Sequence, residues 1–140
     1  IWASTYPTNL KKLIVLQNRA MRIINLAHYR AHANDLFKKN NQLTLIDINK
    51  FQIAVFVYKS LNNLLPKLFN NYFVINSNVH SHSTCNIQKL HAIGHRTTTR
   101  SFSIKIMGPR VWNALDISIR EQKTLPLFKR CLKNNLLLSY

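Results

Sequence analysis

The chain has 140 residues, 46% of them hydrophobic, so its length and composition are those of one folded domain and exclude wholesale disorder. Twenty Lys and Arg stand against four acids, which gives a net charge of +16. A compact domain with this excess repels itself unless a polyanion neutralises it, so nucleic acid is the first expected partner and an anionic membrane surface the second.

The composition also bears on the cellular compartment. No signal peptide is visible, and no apolar run approaches the ~20 residues that would span a bilayer, so we expect no membrane partner. Two cysteines, Cys85 and Cys131, do not make a disulfide framework and suit a reducing intracellular compartment, cytoplasm and/or nucleus. Because the first residue is Ile1 rather than Met, we expect the chain to be part of a longer protein.

The N-terminal half, residues 1–68, is predicted to be helical. Residues 10–26 carry a clear helical period after a turn at Pro7, with Thr8 or Asn9 available as the N-cap. The residues predicted to form its packed face are Leu10, Leu13, Ile14, Leu16, Ala20, Met21 and Ile24; those of its polar face are Lys11, Lys12, Asn18, Arg19 and Arg22, interrupted by Val15. Because no acid lies at i±4, the pattern favours a phosphate-facing stripe, and a merely solvated face is the alternative.

A polar, basic segment at 28–41 leads to a second strong signal. We predict a short helix around residues 35–39. Thr44 and Asp47 then resemble a capping box in which aspartate takes the place of Glu or Gln. The segment that follows, to about residue 65, is apolar nearly all round, which predicts a buried central helix limited by Pro66.

Residues 69–95 are predicted to be a polar loop. They contain His80, His82, Cys85, His91 and His95, whose spacing loosely resembles a zinc knuckle. The cluster has one thiolate and lacks the paired C-x-x-C that makes such a site specific, so we expect no metal or other cofactor. Histidines that touch phosphates are the better interpretation.

Residues 96–140 are predicted to form a strand–turn–helix unit and a C-terminal helix. The alternation at residues 102–107 predicts a strand, Gly108 and Pro109 break it, and residues 110–115 turn helical with Trp112 in the core. The cations that flank this unit, predicted to form one cationic side, are Arg96, Arg100, Lys105 and Arg110. Thr124 is the expected cap of the last helix. The fold class is therefore expected to be mainly α, a single domain or fragment of three to four helices with a small β element.

Catalysis by this chain alone is not expected. Two-metal nucleotidyl transfer needs converging carboxylates, whereas the four acids, Asp35, Asp47, Asp116 and Glu121, are scattered. Asp47 is better explained as a cap, and Cys131, on an amphipathic helix, as a structural cysteine. We therefore predict no catalytic residues and no small-molecule substrate.

Five stretches carry a family resemblance. Ile1-Trp2-Ala3-Ser4 is similar to a Y-G-x-x-x-W-G-S segment, residues 13–24 to L-x-x-L-Q-x-R-A-x-R-x-I, residues 58–69 to Y-K-x-x-N-x-L-L-P-x-x-F, residues 108–115 to G-P-x-x-W-N-x-L-P, and Phe128-Lys129 to a closing F-K. In this order they resemble the C-terminal region, from the end of the thumb onward, of the reverse transcriptase polyprotein of non-LTR (LINE-like) retrotransposons. Asp116 departs from the family's proline, and His82 and Cys85 from its tyrosine and arginine.

The resemblance implies a non-catalytic portion of an RNA-directed DNA polymerase, whose catalytic aspartates lie upstream in the same polyprotein. Its implied partners are RNA and/or DNA and the upstream polymerase domain. The residues expected to bind nucleic acid are Lys11, Lys12, Arg19, Arg22, Arg96, Arg100, Lys105 and Arg110. An independent basic binding module, or a non-functional remnant of a decaying element, stays open as an alternative.

Overall fold

The computed structural model describes residues 3–79 and 87–140, and over these ranges the chain is mainly helical. It forms seven α-helices in the described part: α1 (Pro7–Ile24), α2 (Ala33–Lys39), α3 (Leu45–Leu61), α4 (Thr98–Ser101), α5 (Ile104–Asn113), α6 (Ile117–Arg120) and α7 (Leu125–Leu138). Short 3-10 helices lie at Lys67–Phe69 and Asn76–Asn78. The chain divides into two compact units, one of Ile1–Phe51 with Lys129–Tyr140 and the other of Gln52–Phe128.

The first unit packs α1 against α2. Met21 and the α2 residues Ala33 and Phe37 form a buried cluster, which Tyr140 joins at its edge. Gln17 fixes the start of α3 as well, because its side-chain amide donates to the Leu43 carbonyl at 3.1 Å and accepts from the Leu45 N–H at 2.8 Å. The helix α1 begins three residues earlier than its sequence period suggests, with Tyr6 as N-cap and Pro7 in the first turn.

The predicted cap of α3 is confirmed, with an addition. Thr44 Oγ1 accepts the Asp47 N–H at 3.4 Å and donates to Asp47 Oδ2 at 2.7 Å. In a full capping box the acidic side chain would reach back to the Thr44 N–H. Aspartate is one methylene shorter than glutamate, and here the Thr44 N–H donates instead to the Tyr140 hydroxyl at 2.8 Å. Tyr140, which lies just after the end of α7, thus completes the cap of α3.

The second unit is built around aromatic rings. The Tyr58 ring stacks on Phe128 with centroids 4.4 Å apart, and Trp112 lies 5.7 Å from Phe128. The Tyr58 hydroxyl donates to the Gln122 carbonyl at 2.8 Å, so its polar end is satisfied. Trp112 is only 6% exposed, and Ile53 and Val57 on α3 are fully buried. The predictions of a buried central helix and of a buried Trp112 are therefore confirmed.

The predicted β element is wrong. Residues 104–113 form α5, and residues 98–101 form α4, so the region expected to be a strand is helical and Pro109 lies inside a helix rather than at its start. The alternation at residues 102–107 is short, and apolar side chains spaced over so few residues fit either period. In α5 the buried residues are Ile106, Gly108, Pro109 and Trp112, which share one helical face. Seven helices in the described part replace the three or four expected.

Backbone pairing nevertheless occurs inside the predicted polar loop. Ile75 and Leu90 form an isolated antiparallel bridge, the single such bridge in the described ranges. The Asn76 N–H donates to the Lys89 carbonyl at 2.9 Å, and the His91 N–H to the Val74 carbonyl at 2.7 Å. On the far side of Leu90, Asn113 of α5 donates to the Leu90 carbonyl and accepts its N–H, both at 2.9 Å. Of the histidine–cysteine cluster, His80, His82 and Cys85 lie outside the described residues.

Candidate nucleic-acid interface

The four cations predicted on the first helix share one side of α1. A helix turns by about 100° per residue, so Lys11, Lys12, Arg19 and Arg22 fall within an arc of about 100°. Lys11, Lys12 and Arg19 are exposed, and Arg22 is half-buried. From Lys11 to Arg22 they extend over about 17 Å of helix, at about 1.5 Å per residue. The structure therefore brings this predicted set together on one surface, which we call the α1 cationic face.

Arg22 differs from the other three because the fold holds its guanidinium group. Its Nε donates to the Ala31 carbonyl at 2.9 Å, across the turn that leads to α2. A guanidinium carries several further N–H donors in a planar arrangement. Arg22 is thus positioned by one hydrogen bond and keeps further N–H donors for a ligand.

Most apolar residues of α1 do not pack in the way that the periodicity suggests. Of the seven residues predicted for the packed face, Met21 is buried, whereas Leu13, Leu16 and Ile24 are exposed. Val15 and Ile23 are exposed as well, at 58% and 64%. The predicted packed face is therefore wrong for most of its members, because α1 meets α2 along a narrow contact centred on Met21. Apolar surface is left beside the cations.

Two surface cavities open along this side of α1. The first measures about 540 Å³, and its lining residues are Thr8, Lys11, Lys12, Val15 and Leu16. The second measures about 590 Å³ and is lined by Val15, Arg19, Arg22, Ile23, Leu26, Ala27 and Tyr29. Val15 lines both cavities, so the two are adjacent. Each contains two of the four predicted cations.

Tyr29 is a candidate contact residue that the helical period and the charge pattern do not indicate. It lies just beyond α1, lines the second cavity and is 67% exposed. The Arg30 guanidinium carbon is 5.1 Å from the centre of its ring, and the His28 ring centre is 4.4 Å away. The available signal was an aromatic between His28 and Arg30, immediately after a helix with a cationic face.

The second predicted set of cations is not gathered in the same way. Arg96, Arg100, Lys105 and Arg110 are all exposed. Lys105 and Arg110 are five residues apart on α5, which separates them by about 140° around the helix. The Lys105 ammonium is 4.9 Å from the centre of the Tyr72 ring and is directed toward it. The helical form of this region thus separates Lys105 from Arg110, which were expected on one cationic side.

The acidic side chains of the described residues do little to neutralise these cations. Over residues 3–79 and 87–140, the one ion pair joins Lys50 Nζ to Asp47 Oδ1 at 2.9 Å. Burial alone would raise the pKa of Asp47, but hydrogen bonds from Thr44, Lys50 and Tyr140 outweigh it and hold that pKa below its ordinary value. Asp47 is therefore an ionised structural cap. In the same described part, no group of three or more His, Cys, Asp or Glu side chains could hold a metal ion.

Among the described helices, none is both long enough and apolar enough to cross a membrane.

No protein-family model, curated protein or solved structure matches the chain. The likeness to a retrotransposon reverse transcriptase stays a prediction that rests on the sequence motifs alone.

Proposed function

We propose that this chain is the nucleic-acid-binding C-terminal portion of a retrotransposon RNA-directed DNA polymerase and that it binds RNA or DNA through the α1 cationic face. The observation that carries the binding proposal is the placement of Lys11, Lys12, Arg19 and Arg22 along one side of a single helix. Phosphates attract such cations and release condensed counterions when they bind. The motif resemblance supports the assignment to a polymerase polyprotein.

The unbalanced charge favours a polyanionic ligand over a solvated surface. An ordinary solvated helix alternates acids and bases, which stabilise each other at i±4. Helix α1 contains no acid, and the chain as a whole carries a net charge of +16. Neutralisation by phosphates would relieve this self-repulsion, so nucleic acid should stabilise the fold as well as bind to it.

The binding proposal is tested with a double substitution, Lys12→Ala with Arg19→Ala. Fluorescence anisotropy titrations of a labelled nucleic acid of 20 nucleotides at several salt concentrations give the salt dependence of the binding constant. If about six phosphates are contacted, log K should fall with log salt at a slope of about −4 to −5.5, and the double substitution should make the slope shallower by up to ~2. Unfolding in urea should change by less than about 1 kcal/mol, since Lys12 and Arg19 are exposed.

A charge-matched control separates contact from net charge. Lys129→Ala with Arg130→Ala removes one lysine and one arginine that are exposed on α7. This control should keep the wild-type slope within about one unit. Equal losses in both double variants would show that only the net charge matters and would refute the α1 cationic face as the binding surface.

The polymerase assignment has a separate test. The coding sequence upstream should contain, in frame, a polymerase domain with its pair of catalytic aspartates. An upstream frame that encodes an unrelated protein would contradict this assignment and leave an independent basic module. Stop codons or frameshifts upstream would instead indicate a decayed element.

A further inference from the structure

The second cavity of α1 combines three kinds of surface in one place. Arg19 and Arg22 supply positive charge, and Ile23 and Leu26 supply apolar walls that are 64% and 95% exposed. Tyr29 adds an exposed aromatic ring, against which Arg30 and His28 already lie. Phosphate binding by itself accounts for the arginines but for none of the three apolar or aromatic residues.

Unpaired bases are the part of a nucleic acid that matches the apolar components. In a duplex the faces of the bases are covered by their neighbours, so a protein meets phosphates, sugars and base edges. In a single strand the faces can be splayed out and stacked on aromatic side chains, while cations follow the backbone. A tyrosine beside two arginines suits this arrangement because every base has a π-face that it can cover.

Two other occupants fit the surface less well. A helix that lies in a membrane interface separates its apolar face from its cationic face. In α1, Lys12 and Arg19 instead lie between Val15 on one side and Ile23 on the other, as the turn of about 100° per residue requires. A second copy of this chain would bring two molecules of charge +16 together and is disfavoured by their repulsion.

We infer that the second cavity binds a single-stranded segment of nucleic acid, with Tyr29 stacked on a base and with Arg19 and Arg22 on the adjoining phosphates. The inference deepens the proposed function and depends on it. RNA and DNA share this stacking chemistry, so strands of both kinds and of one sequence must be compared.

The experiment compares Tyr29→Ala and Tyr29→Phe with the wild-type chain by fluorescence anisotropy at one fixed salt concentration. The labelled ligands are a 20-nucleotide RNA, a DNA strand of the same sequence, and the DNA duplex. Tyr29→Ala should weaken binding to a single strand by about fivefold to 150-fold, the range found when one stacked aromatic is removed. Tyr29→Phe should keep wild-type affinity, and affinity for the duplex should stay unchanged in both variants. A loss with RNA alone, or with DNA alone, would identify the strand that the cavity selects.

Leu68→Ala is the matched control, because Leu68 is an 85% exposed apolar residue that lines neither cavity, and it should leave all affinities unchanged. Tyr29→Leu keeps apolar bulk without a ring and should behave like Tyr29→Ala; wild-type single-strand affinity in Tyr29→Leu would overturn stacking. The inference is also overturned if Tyr29→Ala binds single strands as well as the wild type does, or loses duplex affinity equally. Tighter binding to vesicles of phosphatidylserine and phosphatidylcholine, lost in Tyr29→Ala, would assign the cavity to a lipid surface instead. If the wild-type chain binds no nucleic acid even at low salt, the proposed function itself fails.

Discussion

The Tyr140 hydroxyl donates a 2.8 Å hydrogen bond to Oδ2 of Asp47, a residue 93 positions earlier in the chain. The same hydroxyl accepts the Thr44 N–H, so the Tyr140 side chain connects Thr44, the cap of α3, with Asp47 in the first turn of that helix. Because both bonds are part-buried, we expect Tyr140→Phe to lower the free energy of unfolding by about 1–2 kcal/mol. Urea denaturation followed by circular dichroism measures it. Tyr29→Phe, which removes an exposed hydroxyl, should change stability by less than about 0.5 kcal/mol.

The contact between Tyr140 and Asp47 predicts that the free energy of unfolding falls at low pH. The pKa of Asp47 is lowered in the folded chain, so its contribution is present above the unfolded value of about 3.9 and is lost as the pH falls through the folded value. Denaturation curves collected from about pH 6 downward should show this loss. Tyr140→Phe removes one of the bonds that lower the pKa of Asp47, so the loss of stability should be smaller in this variant and should be complete at a higher pH. An unchanged acid profile in Asp47→Asn would contradict the assignment.

At high pH the group that titrates in this contact is the Tyr140 hydroxyl. Burial, together with the neighbouring Asp47 carboxylate, raises the pKa of Tyr140 and outweighs the bonds with Thr44 that would lower it. The contribution of the neutral phenol is therefore complete below the ordinary value of about 10 and is lost as the pH rises through the folded value. Stability of the wild type should fall more steeply above about pH 10 than that of Tyr140→Phe. Denaturation at matched pH values measures the difference.

Trp112→Ala should lower the free energy of unfolding by about 3–5 kcal/mol. The substitution leaves a cavity beside Tyr58 and Phe128, whose rings are packed against Trp112 in the second unit. Ile117→Ala is the control, because Ile117 lies on the neighbouring α6 and is 58% exposed. A small loss in Trp112→Ala, equal to that of the control, would show that the cluster closes around the missing ring.

The two glycines should respond in opposite directions to alanine. A Cβ atom on Gly108 would lie 2.6 Å and 2.7 Å from Cε1 and Cζ of Phe73, a buried ring that also contacts Phe56 and Tyr72. The crowding outweighs the gain in helix propensity, so Gly108→Ala should lose about 1–2 kcal/mol. Gly94 has no atom within 4 Å of that position and no positive φ, so Gly94→Ala should gain about 0.4–1 kcal/mol. Adding Phe73→Leu should reduce the cost of Gly108→Ala.

Local signals in the sequence were sufficient for the long helices. The period of α1, the Thr44 cap with the apolar run of α3, and Thr124 immediately before α7 each depend on residues close in the chain. The strand prediction for residues 102–107 was wrong because a short alternation fits both the strand period and the helix period. Tertiary packing of Ile106 and Trp112 favours the helix. The part of Tyr140 in the cap could not be predicted, because it depends on a contact across 93 residues.

The positions of the cations in the candidate site could be predicted from the sequence, but its apolar and aromatic lining residues could not. Helical spacing alone placed Lys12 and Arg19 on one side of α1. The exposure of Leu16 and Ile23 was not foreseen, because periodicity marks which residues share a face but does not show whether another element covers that face. Tyr29 lies beyond the end of the helix, where no period applies, and only the folded turn brings it beside Arg19 and Arg22.

Asn113 has a consequence for the stability of the second unit. The N–H and carbonyl of Leu90 point away from the Ile75 bridge, and Leu90 is only 2% exposed, so water has little access to either group. The Asn113 amide satisfies both groups at 2.9 Å, which is the part that a neighbouring strand would otherwise take. Asn113→Ala should therefore leave two buried backbone groups unpaired and lower the free energy of unfolding by about 2–4 kcal/mol, measured by urea denaturation.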